Sequence, residues 1–160
     1  MLGVSREPSQ TGVHPIILYD GVCGLCNRLN QFVLRRDPEG IFRFASLQSA
    51  LAGRILVRHG ADAGDLDTVY VVVGHDLSRL DSTKEDQSDE RLLARSDAIV
   101  FVLKQLGGIW KVLGVLFQLV PRLVRDAAYR VVARNRYRVF GRFESCMVPS
   151  AENRGRFLDV

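Results

Sequence analysis

Cysteine is scarce in this chain, which has three cysteines among 160 residues. That number is too small for a disulfide-stapled scaffold, and an iron–sulfur cluster would need four cysteine ligands. A structural zinc site commonly uses two short-spaced pairs of ligands, whereas this sequence has one such pair. The other candidate ligands are scattered along the chain: His14, His59, His75 and Cys146. We therefore expect neither a metal nor another cofactor.

An apolar leader is also lacking from residues 1–14, so they do not resemble a secretory signal. We expect a mobile tail over residues 1–14 and a single domain over residues 15–160, a length that can bury a core without cross-links. Without a signal, the expected location is cytoplasmic, where thiols are kept reduced. A close cysteine pair in that compartment is more often catalytic or metal-binding than a permanent cross-link.

Strand-like and helix-like patterns alternate along the first half of the chain. The apolar run Ile16–Tyr19 predicts a buried strand, and the Asp-Gly pair after it is typical of a turn. Next we predict a helix at 24–36, a strand at 41–45, a helix with Ser46 as its N-cap that ends near Gly60, and a strand at 68–73. Strand–helix–strand order with short links favours a parallel βαβ core.

The second half of the chain is richer in helical patterns. We expect a polar loop at 74–90, a strand at 92–94 antiparallel to the strand at 68–73, a helix capped by Ser96 that breaks at 107–108, and a helix at 123–139. The stretch 98–120 is 23 residues long and strongly apolar, a length that could cross a membrane. Polar residues interrupt it, so we predict a pair of core helices, with contact at a membrane surface as the alternative.

Arginine is concentrated near the C-terminus, where residues 121–160 contain nine arginines and four acidic residues. We expect these arginines to form a solvated basic surface, and the alternative is a site for an anionic partner such as nucleic acid or lipid headgroups. The same interpretation applies to Arg136, Arg138 and Arg142. The alternative is that these three gather an anionic substrate or the Asp20 carboxylate.

The close cysteine pair is Cys23 and Cys26, at the start of the first predicted helix. Residues three apart there lie on one face, close enough for a disulfide. Free N–H groups at a helix N-terminus stabilise a thiolate, so the pKa of Cys23 should fall below its ordinary value of about 8.5. Cys23 should be the more exposed sulfur and the nucleophile, and Cys26 should resolve the mixed disulfide. A purely structural pair and a zinc site are the alternatives.

Asp20 and Cys146 each have two interpretations. Asp20, three residues before Cys23, should form the turn or cap the helix, and the alternative is proton exchange with a cysteine. Cys146 should pack a C-terminal turn, and the alternative is a third redox thiol.

Three blocks of sequence resemble a known family. They are Asp20-Gly21-Val22-Cys23-Gly24-Leu25-Cys26, then Arg95-Ser96-Asp97-Ala98 with Leu106-Gly107-Gly108 and Trp110, and finally 135–142 with Cys146-Met147-Val148-Pro149. In this order they resemble the DCC family, also called DUF393, whose members are described as thiol-disulfide oxidoreductases with a thioredoxin-like fold. The resemblance implies an α/β thioredoxin-like core, a mixed sheet with flanking helices, plus a C-terminal helical extension. It also implies Cys23 and Cys26 as the redox pair, with Asp20 as the third signature residue.

One feature of thioredoxin-like enzymes is missing from the sequence. They usually place a cis-proline before a central strand, facing the cysteine pair, whereas no proline lies near the strand at 68–73. The expected function is still that of an enzyme, a thiol-disulfide oxidoreductase whose partner is a protein or a small-molecule thiol or disulfide. The competing hypotheses are a non-catalytic binding module on the same fold and a protein associated with a membrane surface.

Overall fold

The computed structural model describes residues 13–62, 64–75, 90–143 and 149–158. The elements are β1 (Ile16–Tyr19), α1 (Gly24–Arg36), β2 (Arg43–Ser46), α2 (Ala50–Arg58), β3 (Tyr70–Val73), β4 (Arg91–Ala94), α3 (Arg95–Leu106), α4 (Gly108–Leu119) and α5 (Arg122–Phe140), followed by a 3₁₀ turn at Arg154–Arg156. Residues 1–12 of the predicted tail, most of the predicted polar loop at 74–90, and Cys146 lie outside the described residues.

The four strands form a mixed sheet in the order β2-β1-β3-β4. β1 and β2 are parallel and joined through α1, which confirms the predicted βαβ unit. β3 is antiparallel to both β1 and β4, so the strand predicted at 92–94 is confirmed in its direction. The fold is therefore α/β with a mixed sheet and flanking helices, as expected for a thioredoxin-like core. β1 lies inside the sheet, so the turn after it starts from a buried strand.

Two hydrophobic clusters cover the two faces of the sheet. Side chains alternate along β1, with Ile17 in the cluster that includes α1 and α3 residues, and Ile16 and Leu18 in the cluster on the α2 side. The side chains of Ile55 and Leu56 in α2 are fully buried in the second cluster. Burial on both faces explains why β1 is a continuous apolar run.

Two predicted helix caps are wrong. The N-cap of α2 is Ser49, whose side chain accepts a hydrogen bond from the Ala52 N–H at 3.2 Å, because Ser46 is still paired within β2. Ser96 lies inside the first turn of α3, and its hydroxyl donates a hydrogen bond to Asp126 instead of capping the helix. In both cases the tertiary pairing of the serine, rather than local spacing, decides where the helix begins.

The prediction of two core helices holds for α3 and is wrong for α4. α3 buries Ala98 and Val100 against the core, whereas α4 buries Gly114 and exposes most of its large apolar side chains. α4 stays exposed because it packs against α3 along one narrow side, at Gly114. A Cβ on Gly114 would lie 3.1 Å from the Leu103 Cβ, so the helices approach where that side chain is absent. Among the described residues, no helix is both long enough and apolar enough to cross a bilayer.

Candidate active site

Cys23 is the N-cap of α1, directly after the turn that follows the central strand β1. Its backbone is extended, with φ −83° and ψ 122°, and its carbonyl accepts the first helical bond from the Asn27 N–H at 3.1 Å. The Cys23 N–H in turn donates to the Asp20 carbonyl at 3.2 Å, which closes the turn. The predicted position of the cysteine pair at a helix start is confirmed.

The two cysteines have opposite electrostatic environments. The Cys23 sulfur accepts a hydrogen bond from the Cys26 N–H at 3.4 Å. A hydrogen bond from the Cys26 thiol is the main cause that lowers the pKa of Cys23 to about 6, helped by that N–H and by the positive charge of Arg136, while burial opposes it. The same hydrogen bond, burial and the charge of Cys23 raise the pKa of Cys26. At neutral pH the reduced pair therefore consists of a Cys23 thiolate and a Cys26 thiol.

The expectation that Cys23 is the more exposed sulfur is wrong. Cys23 is 0% exposed and Cys26 is 3% exposed. Residues 141–143, which follow α5 and are here called the covering segment, pair with the backbone on either side of Cys23. Arg142 pairs with Cys23 in an isolated β-bridge, and the Phe143 N–H donates to the Val22 carbonyl at 2.8 Å. These contacts join residues far apart in the chain, so local sequence did not reveal them.

The residue after Cys23 must be glycine for the covering segment to sit so close. The Gly24 N–H donates to the Gly141 carbonyl at 3.2 Å. A Cβ on Gly24 would lie 2.2 Å from the carbonyl oxygen of Phe140, nearer than real Cβ atoms approach an oxygen. Gly141 itself has φ +80°, a left-handed conformation that glycine adopts without strain, and it lets the chain turn off the end of α5.

Asp20 is fully buried and accepts four hydrogen bonds. Its Oδ1 accepts from the Val22 N–H at 3.2 Å and from the Gln48 Nε2 at 2.8 Å. Its Oδ2 accepts from Arg136 at 3.2 Å and from the Tyr137 hydroxyl. The bond to Val22 shows the turn-forming interaction expected of this residue.

Arg136 is buried, so its interpretation as surface charge is wrong. One nitrogen of its guanidinium donates to Asp20, to Asp67 at 3.0 Å and to the Tyr137 hydroxyl at 2.9 Å. α5 turns this residue toward the sheet, while Arg138 and Arg142 stay exposed as expected. The alternative, in which this arginine gathers the Asp20 carboxylate, is what the structure shows.

Tyr137 was missed by reasoning from single residues. Burial, and then the hydrogen bond to Asp20, raise its pKa to about 12, so it is a neutral donor at physiological pH. The one sequence signal for it was its place in the block 135–142 that resembles the family.

An apolar cavity of about 290 Å³ lies between α1, α3 and α5, and Cys26 is part of its wall. Its other lining residues include Leu25, Val69 and Phe117, with Arg136 among the few charged groups. A groove of about 570 Å³ runs along the opposite part of α1, beginning at Gly24. The cysteine pair thus lies between an apolar cavity and an open groove.

The histidines considered as metal ligands have other contacts. His59 and His75 both form hydrogen bonds at 2.6 Å with the buried Glu90, and His14 contacts the Ile41 carbonyl. Within the described ranges, no group of three or more histidine, cysteine or acidic side chains is arranged to hold a metal ion. No cis peptide bond occurs in that part of the chain either.

Comparison with known proteins gives one family and two relatives. The model of a family described as DCC1-like thiol-disulfide oxidoreductase matches residues 17–142. The chain is 36% identical to the uncharacterized protein YuxK of Bacillus subtilis (strain 168) over 143 residues, which cover 89% of this chain and 93% of that protein. It is 34% identical to a chloroplastic DCC family protein of Arabidopsis thaliana over 132 residues, 82% of this chain and 68% of the relative. No solved structure was found to match the chain.

Proposed function

The chain belongs to the DCC1-like thiol-disulfide oxidoreductase family, and on that premise we propose that it exchanges thiols and disulfides through Cys23 and Cys26. The observation that supports this assignment best is the split between the two sulfurs. One pKa is lowered to about 6 and the other is raised, although both thiols are buried within one turn of helix. Perturbed pKa values cluster at functional sites, and a lowered thiol pKa is typical of a reactive cysteine.

The first step uses Cys23 as the nucleophile. Its thiolate attacks one sulfur of a substrate disulfide, a mixed disulfide with Cys23 forms, and the other substrate sulfur leaves as a thiolate that takes a proton. A thiol whose pKa is near 6 is mostly ionised at neutral pH and is still a competent nucleophile, because nucleophilicity falls only gradually with pKa.

The second step uses Cys26 as the resolving thiol. Once Cys23 is part of a mixed disulfide, its negative charge is gone, and so is one cause of the high pKa of Cys26. Cys26 then loses its proton and attacks the Cys23 sulfur, and the second substrate sulfur leaves and takes a proton. The pair loses two electrons, which the substrate disulfide gains, and the reverse sequence oxidises a dithiol.

Asp20 acts as a positioning residue in this mechanism. Its carboxylate shapes the turn before Cys23 and binds Arg136, whose positive charge lowers the pKa of Cys23. Its other two hydrogen bonds come from the Gln48 amide and the Tyr137 hydroxyl, so both carboxylate oxygens are occupied, which favours positioning over proton exchange.

Reaction with a partner requires the covering segment to move. Among the described residues, the covering segment is held to the turn around Cys23 by one isolated β-bridge, whose two backbone hydrogen bonds are 2.8 and 3.2 Å long, and the Arg142 guanidinium lies 5.4 Å from the centre of the Tyr137 ring. Separation of these contacts would expose the thiolate to a protein or small-molecule disulfide. We place this exchange in the cytoplasm, where the thioredoxin and glutathione systems supply thiols.

Trapping experiments test the roles, with Cys146→Ser as background so that the third cysteine cannot react. Cys26→Ser should accumulate a mixed disulfide with its partner, which mass spectrometry can identify, and Cys23→Ser should trap nothing. If Cys23→Ser traps partners and Cys26→Ser does not, the roles are reversed. If neither traps anything and the native pair never oxidises, the chain is a binding module. The redox potential of the Cys23–Cys26 pair then gives the direction of electron transfer: a value of about −270 mV indicates a reductant, and a value of about −120 mV indicates an oxidant.

A further inference from the structure

The surface of α4 and of the first turn of α5 is unusually apolar. Six large side chains there are each more than half exposed, from 55% for Leu116 to 82% for Leu123. This α4 face consists of Ile109, Val112, Leu116, Leu119, Leu123 and Val124. By contrast, α2 exposes a single large apolar residue, Val57. Isolated exposed apolar residues are ordinary, but a group on consecutive turns indicates an interaction surface.

The packing of α4 leaves this face uncovered. α4 contacts α3 along the side of Gly114, and Trp110 packs edge-on against Phe32 of α1 at 4.8 Å between ring centroids. Those contacts use one side of the helix. The side chains of the α4 face point elsewhere, since they stay exposed in the folded chain.

Positive charge predominates along α4 and α5. Residues 98–143 contain nine lysines and arginines and a single acidic residue, Asp126. That carboxylate already accepts a hydrogen bond from Ser96 and pairs with Arg122 at 3.6 Å. Asp97, the carboxylate that directly precedes this stretch, is already paired with Arg122 at 3.2 Å and with Arg125 at 3.3 Å. The cations at the exposed surface include Lys111 on α4, and Arg130 and Arg134 on α5.

We propose that the α4 face docks on an anionic lipid bilayer. Exposed leucine, isoleucine and valine side chains would enter the boundary between headgroups and acyl chains, and the neighbouring cations would contact anionic headgroups. α4 has 12 residues and is about 18 Å long, so it would lie along the surface. A second copy of the chain is a poorer occupant, because a two-fold interface would bring the same cations together.

Flotation with vesicles tests the proposal on the full chain. We expect binding to phosphatidylcholine vesicles that contain phosphatidylglycerol, little binding to phosphatidylcholine alone, and weaker binding when salt rises from about 0.1 M to about 1 M. Replacing Leu116 and Leu119 together by Asp should lower the vesicle partition coefficient at least tenfold. Val57→Asp is the control for position, since it adds one negative charge at a comparably exposed apolar residue of α2, away from the face, and it should bind nearly as the native chain does.

A charge variant, a chain without the cysteine pair and the oligomeric state of the protein complete the test. Lys111→Glu should weaken binding more than Arg54→Glu, which makes the same charge change on the exposed side of α2. A chain with Cys23 and Cys26 both replaced by Ser should still bind, so this result is independent of the redox proposal. Failure to bind anionic vesicles, equal binding to neutral ones, or undiminished binding by the Leu116/Leu119 variant would overturn the proposal. So would a concentration-dependent dimer that this variant disrupts, without vesicle binding.

Discussion

The hydrogen bond between the two thiols should control the acidity of Cys23. Cys26→Ala removes the thiol donor, which is the main cause of the low pKa of Cys23, and leaves the backbone N–H of residue 26 and the Arg136 charge in place. Cys26→Ser keeps a donor at the same position, because its hydroxyl can bond to the thiolate. We therefore expect the pKa of Cys23 to rise in the Ala variant and to rise much less in the Ser variant.

The size of the change follows from the strength of one hydrogen bond. A bond to a charged group contributes about 1.5–3 kcal/mol, and one pKa unit corresponds to about 1.4 kcal/mol. Loss of the Cys26 donor should therefore raise the pKa of Cys23 from about 6 to about 7–8. At pH 7 the thiolate fraction would fall from about nine-tenths to between about a half and a tenth.

An absorbance titration of the thiolate measures this shift even though Cys23 is buried. The variants should carry Cys146→Ser, so that the third cysteine does not contribute, and their thermal unfolding should be compared to exclude a general loss of structure. If Cys23 titrates in Cys26→Ala within half a unit of its value in the native pair, the thiol donor is not the cause of its acidity. An equal rise in Cys26→Ser would likewise refute the argument.

Three further results are expected. Arg136→Met should raise the pKa of Cys23 and lower the free energy of unfolding in urea by about 3–5 kcal/mol, since it leaves the buried Asp20 carboxylate without its positive partner. Arg136→Lys keeps the charge, so the pKa of Cys23 should stay close to its native value. An unchanged pKa of Cys23 in the Met variant would contradict this. Gly24→Ala should destabilise by about 1–3 kcal/mol or more, because its Cβ meets the Phe140 carbonyl oxygen at 2.2 Å, whereas Gly53→Ala, in open space on α2, should be neutral or stabilising. For the reduced protein, the free energy of unfolding should rise by up to about 3 kcal/mol between pH 6 and about 8.5. Between these pH values the unfolded cysteine pair binds two protons and the native pair binds one, so stability rises with pH. Above about pH 8.5 the native pair retains a proton that the unfolded pair has lost, so stability should fall again. Cys23→Ser should not show the increase between about pH 6 and about pH 8.5.

The sequence by itself determined the local elements and the position of the cysteine pair. The bounds predicted for β1 and α1 agree with the structure, and the predicted antiparallel strand is present as β4. Apolar periodicity and the Asp-Gly turn act over a few residues, so they can be recognised without knowledge of the rest of the chain. For the same reason, a lowered pKa at the helix start could be anticipated for Cys23.

Tertiary structure alone decided the surroundings of that pair. Arg136 and Asp20 are 116 residues apart, and no local pattern brings a surface-like arginine to a buried carboxylate. The covering segment over Cys23 and the exposure of α4 likewise depend on which helix faces meet after the chain has folded. Periodicity shows that a helix has an apolar side, but it does not show what covers that side. Contacts between distant residues decided this, and they made Cys23 a buried thiolate and left α4 at the surface.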